Sequence, residues 1–134
     1  MTPVFPIISA FVAALLGLLG AGLTANVIAN RLRTGVTAGD GGNPSLNQAI
    51  RAHCNFVEQA PLCLILLGLA EMIAVRPLVV AILGICLLAS RLAAAYGLNR
   101  TLGVSRGRQF GGGAAMVLPA AISIAILLAL AGIR

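Results

Sequence analysis

Residues Val4–Ile28 read VFPIISAFVAALLGLLGAGLTANVI, a run without one charged side chain. About 20 apolar residues cross the hydrocarbon core of a bilayer, so this run is long enough to span a membrane by itself. A cleaved signal peptide opens on a basic segment and has a shorter apolar core. Met1–Pro6 carries no Arg or Lys, and the stretch therefore reads as a retained helix over residues 4–30.

The pattern repeats along the rest of the chain. Arg31, Arg33 and the glycine-rich stretch Thr34–Pro44 form a loop by composition. Asn43-Pro44 then predicts a helix start, with Asn43 as N-cap and Pro44 in the first turn, although Ser45 and Gln48 offer a capping box in a shifted register. Further spans are expected over residues 44–74, 77–98 and 109–133. Glu71 and Arg76 bracket a very short turn ending at Pro77, and Asn99–Gln109 is a second basic loop. The fold class is thus all-α: an integral membrane four-helix bundle in a single domain.

Composition agrees. Sixty per cent of the 134 residues are hydrophobic and 9% are charged, with a mean hydropathy of +1.05. Soluble domains carry about a quarter charged residues, and disordered chains are polar. The net charge of +6 comes from arginines alone. No basic run and few aromatics accompany it, which argues against nucleic acid as a partner. Cys54, Cys63 and Cys86 form no CxxC or metal-ligand spacing and read as small buried hydrophobes, with no disulfide and no metal site expected.

Arginine placement predicts orientation. Arg31, Arg33, Arg51, Arg100, Arg106 and Arg108 cluster around the two long connections, while Arg76 and Arg134 lie on the other side. The positive-inside rule places the long loops in the cytoplasm and both termini in the periplasm, with the bacterial inner membrane as the expected location.

Helix 2 carries the chemistry. At 100° per residue, Gln48, Arg51, Asn55 and Glu58 fall at about 60°, 0°, 40° and 340°, a single polar arc over three turns. Charged side chains at membrane depth cost roughly 2.5–3.5 kcal/mol each on insertion scales, so the arc is expected to face a bundle interior or a subunit interface. Pro61 frees the carbonyl of Val57 and predicts a bend. Arg51 and Glu58 are seven residues apart, about 10 Å along the axis, so each needs another partner. Two readings stand at this point: a ligand site open to the cytoplasmic interface, or a structural polar seam. On helix 3, Arg91 reads as an interhelical partner for Glu58 or a carbonyl. Tyr96 reads either as an interfacial belt residue or as a hydroxyl aimed at the site.

Arg51-Ala52-His53-Cys54-Asn55-Phe56-Val57-Glu58-Gln59-Ala60-Pro61 resembles the R-x-x-x-N-x-x-E-x-x-P signature of the MAPEG family, membrane-associated proteins in eicosanoid and glutathione metabolism. Ser90-Arg91-Leu92 with Tyr96-Gly97 is similar to that family's helix 3, and Asp40-Gly41-Gly42 is similar to small bacterial members. The resemblance implies a homotrimer that binds glutathione as co-substrate between subunits. It implies that Arg51 holds a carboxylate, Asn55 the peptide and Glu58 the ammonium, and that Arg31 or Arg33 holds the other carboxylate. Gln48 and Arg91 complete the expected binding set. Arg106, from the loop that also holds Arg100 and Arg108, would stabilise the thiolate against a lipophilic electrophile or hydroperoxide arriving from the bilayer, with Tyr96 as the other catalytic candidate. Active members of the family tend to carry Tyr or His three and seven residues after the helix 3 Arg; here those positions are Ala94 and Leu98. A glutathione-dependent transferase or peroxidase is the first expectation. The alternatives are a non-catalytic member binding a lipid or a partner protein, and a small proton-coupled multidrug-type transporter using Glu58.

Overall fold

The computed structural model describes residues 5–100 and 106–132, with the side chains of 106–108 and 110–111 outside the description. Four helices follow one another: α1 (Ile7–Thr34), α2 (Pro44–Met72), α3 (Pro77–Arg100) and α4 (Arg106–Leu130). All four contain a stretch long and apolar enough to cross a membrane. The helices α2 and α3 form the central pair, and α1 and α4 each pack against both of them.

Each boundary has a local cause. Helix α1 continues past the expected end at residue 30 because Arg31 and Arg33 suit the last turn, where cations meet the helix dipole. It stops where Gly35 adopts a left-handed conformation (φ 69°) and its N–H donates to Arg31 O. Helix α2 opens on Asn43, whose Oδ1 accepts from the N–H groups of Ser45 and Leu46, with Pro44 next in line. That cap, rather than the Ser45–Gln48 box, is the one used. No break in α2 occurs at Pro61; the helix runs through it. At the far end, Val75 N–H reaches Ala70 O and Ala74 N–H reaches Glu71 O, a Schellman motif with Ala74 at φ 63°. This turn makes α2 and α3 a tight hairpin.

The core follows from the inner stripe of α2. Leu46, Ala49, Ala52, Ala60, Cys63, Leu67 and Ala70 are buried at three- and four-residue spacing, with the half-buried Phe56 filling the step between Ala52 and Ala60. Val12 and Leu16 of α1, Val80 and Leu87 of α3, and Leu118 and Ile122 of α4 close around Cys63 and Leu67. Glycines let the helices approach: a Cβ on Gly84 would lie 2.8 Å from Val12, and one on Gly20 would lie 2.8 Å from the Phe56 ring. Of the three cysteines, Cys63 is buried, Cys54 half-buried and Cys86 exposed on the outer surface. Burial thus fails for Cys86, an apolar side chain that a bilayer would accommodate.

Two polar fastenings hold α1. Its N-cap, Pro6, makes no side-chain cap bond. Glu71, at the end of α2 and only 8% exposed, serves instead: it accepts from Ile8 N–H at 2.9 Å, Ser9 N–H at 2.8 Å and Ser9 Oγ–H at 2.6 Å. The carboxylate satisfies first-turn donors that otherwise have no partner and meets the positive end of the helix dipole. At the other end, Asn26 Nδ2 donates to Asn99 Oδ1 of α3, and Ser45 Oγ of α2 donates to the buried Asn30 Oδ1.

Candidate functional site

The inner stripe of α2 fixes where its polar arc points. Arg51 and Glu58 lie roughly 150° and 170° round the helix from the centre of the buried stripe. Both are exposed, while Gln48 and Asn55, on the edge of the arc nearer the core, are half-buried. Both charged residues therefore lie off the packed side of the helix, Glu58 on the outer surface and Arg51 at the rim of the bundle. Among the described residues, neither makes a side-chain hydrogen bond or ion pair.

Asn55 is held from behind. Arg91 of α3 is 2% exposed and donates from Nη1 to Asn55 Oδ1 at 3.2 Å and from Nε to Ser90 Oγ at 3.3 Å. The interhelical role expected of Arg91 is thus directed at an amide rather than at Glu58. In front of Asn55 lies a cavity of about 150 Å³ lined by Arg51 and Asn55 of α2, Ala94 and Leu98 of α3, and Gly112 of α4. Ala94 and Leu98 are the two helix 3 positions singled out in the sequence, so the α3 wall here is hydrocarbon.

The other sequence candidates are spread around this end of the bundle. Tyr96 stands about 160° round α3 from Ala94 and Leu98, so it faces away from the cavity. It is 61% exposed and lies beneath Arg100, whose guanidinium carbon is 4.8 Å from the ring centroid. Arg31 turns into the following loop, donating from Nη1 to Val36 O and Gly39 O. Arg33 donates to Asn30 Oδ1. Arg106 begins α4, and its side chain, like that of Arg108, lies outside the described residues. The structure brings together Arg51, Asn55 and Arg91, and it leaves Glu58 and Tyr96 facing outward. Sequence reasoning did not find the Glu71–Ser9 contact; an acidic side chain at a helix end and a helix start lacking its own cap were the available signals.

A membrane four-helix bundle with an Arg–Asn–Glu face on its second helix defines a class, and the comparison with known proteins agrees with it. The family profile described as MAPEG family matches residues 9–128. The chain belongs to that family and is an integral membrane protein. It is 39% identical over 95 residues to inner membrane protein YecN of Escherichia coli (strain K12), covering 71% of this chain and 72% of the relative. The protein of the same name from a second strain of that species (O6:H1) matches equally. No solved structure matches the chain at a significant level.

Proposed function

We propose that the chain binds glutathione between copies of itself, as a homotrimer, and that it is a glutathione-dependent transferase or peroxidase for lipophilic substrates. The observation that carries this reading is the outward exposure of Arg51 and Glu58 within a membrane-spanning helix. Left in hydrocarbon, each charge costs roughly 2.5–3.5 kcal/mol. A neighbouring copy covering the strip, with a zwitterionic ligand between them, removes that cost. Glutathione carries two carboxylates and one ammonium. Arg51 offers a planar fork to a carboxylate, Asn55 an amide to the peptide and Glu58 a carboxylate to the ammonium. Gln48 extends the same arc, and Arg31 or Arg33 of an adjoining copy supplies the second carboxylate contact.

Arg106 is assigned to the sulfur. A free thiol has a pKa of about 8.5, and a cation beside it stabilises the thiolate. In the transferase reaction the thiolate's electron pair forms a C–S bond to the electrophile, and the leaving group departs with the electrons of the bond it breaks. The thiol proton passes to solvent. The arginine-rich ends face the cytoplasm in this proposal, so glutathione enters from that side and the electrophile from the bilayer. Labelling a cysteine placed at Thr37 with a membrane-impermeant reagent checks the orientation; reaction in intact cells would reverse it.

A second reading is favoured by one feature of the cavity. Ala94 and Leu98 give its α3 wall no hydroxyl, which suits a member that binds a lipid or a partner without turnover. Calorimetry with glutathione, and conjugation assays over a panel of lipophilic electrophiles and hydroperoxides, separate the two. Wild type is expected to bind, and Arg51→Ala to weaken binding about 10–100-fold, the equivalent of one charged hydrogen-bonding group. Arg106→Ala should bind but lose turnover. Binding without turnover on any substrate selects the second reading, and no binding by wild type sinks both the transferase and the glutathione assignment.

A further inference from the structure

The amide of Asn55 has one acceptor and one donor end, and the donor-only chemistry of Arg91 decides which faces where. A guanidinium carries N–H donors and no acceptor. Its approach to Asn55 at 3.2 Å therefore requires the carbonyl oxygen, Oδ1, on the Arg91 side. Arg91 is itself oriented: Ser90 Oγ–H donates to Leu87 O at 2.8 Å, so its lone pairs are left to receive Arg91 Nε–H. This chain of bonds is buried at Ser90 and Arg91 and ends at the half-buried Asn55. The other end of the amide, Nδ2, is not engaged by Arg91, and Asn55 lines the cavity together with Arg51.

We infer that Arg91 is a positioning residue that fixes the Asn55 amide donor-outward, so that the polar side chains lining the cavity among the described residues, Arg51 and Asn55, present N–H donors to it and select a carboxylate or peptide carbonyl. The inference rests on reading the Arg51–Asn55 face as the ligand site and specifies which end of a ligand group that face accepts. Without Arg91 the amide is free to turn over and present its oxygen, which repels the same ligand group. The charge of Arg91 stabilises the acceptor end of the one amide that must not flip.

The test uses the full-length protein in lipid nanodiscs with glutathione as the probe. Asn55→Asp keeps an acceptor for Arg91 and removes the outward donor. It is expected to hold or raise the thermal midpoint, through a new ion pair with Arg91, while glutathione affinity falls at least tenfold. Arg91→Met should weaken binding, and Arg91→Lys, which restores a donor, should recover part of it. In the Arg91→Met background, Asn55→Asp should lower the midpoint relative to its effect in wild type, because the carboxylate then has lost its buried partner and keeps only the exposed Arg51 across the cavity. Unchanged glutathione affinity in Asn55→Asp overturns the donor-outward orientation. Equal loss of midpoint from Asn55→Asp in both backgrounds overturns the anchoring by Arg91. A wild type that fails to bind glutathione, yet shows the difference in midpoint between backgrounds, refutes the glutathione reading and supports the anchoring.

Discussion

Replacing Glu71 is the sharpest probe of how this bundle holds together. Its carboxylate receives three hydrogen bonds from Ile8 and Ser9, and it is nearly fully buried. Glu71→Ala leaves two backbone N–H groups and a hydroxyl without their acceptor. A hydrogen bond to a charged group contributes about 1.5–3 kcal/mol, and a buried donor left unsatisfied costs about 1–3 kcal/mol. The contributions overlap because all three bonds end on one carboxylate, and water reaching the helix end recovers some. A loss of about 3 kcal/mol is the reasoned total. Glu71→Gln keeps one acceptor oxygen, turns an NH2 donor towards the N–H group that the other oxygen served, and loses the charge that meets the helix dipole, so it should cost about 1–3 kcal/mol. Ser9→Ala removes only the hydroxyl bond and should cost about 1 kcal/mol. Unfolding in mixed detergent micelles gives the stabilities, and hydrogen exchange locates the damage. Protection at the Ile8 and Ser9 amides should vanish in Glu71→Ala and persist in Ser9→Ala. A Glu71→Ala protein as stable as wild type, with both amides still protected, would refute the tether.

Two further substitutions test the turns and the packing. Ala74 holds φ 63° in the Schellman turn between α2 and α3, a conformation that costs a non-glycine residue about 1–2 kcal/mol; Ala74→Gly should stabilise by about 0.5–1 kcal/mol after the extra entropy of the unfolded chain is counted, measured by the same detergent unfolding. Gly84→Ala places a methyl 2.8 Å from Val12 and should cost about 1–3 kcal/mol. Adding Val12→Ala should then cost less than it does alone, and strict additivity of the two changes would contradict the close approach of α1 and α3.

What the sequence made legible was local. Apolar length set the spans, and Asn43-Pro44 set the start of α2, because a cap and the bonds it makes lie within three residues. The polar arc was also legible as an arc, since 100° per residue places Arg51, Asn55 and Glu58 together whatever surrounds them. Its direction was harder to see. The signal was the complementary stripe of Leu46, Ala49, Ala52, Ala60, Cys63 and Leu67, small and apolar, which marks the packed side and so leaves Arg51 and Glu58 outside. The Glu71–Ser9 contact and the Arg91–Asn55 bond join residues 62 and 36 positions apart. Such pairings depend on how helices dock, which no periodicity in one helix encodes. Pro61, a residue that disfavours helix locally, lies within α2 between the buried Ala60 and Cys63.

The two polar fastenings of α1 have a mechanical consequence. A 28-residue helix is about 42 Å long, and this one is pinned by a carboxylate at its first turn and by asparagines near its last. Such a strut can neither piston nor tilt without breaking a bond at one end. The depth at which Arg31 and Arg33 emerge is therefore set partly by Glu71, on the opposite face of the bundle. A loosened carboxylate at one membrane surface would be felt as a displaced pair of arginines at the other.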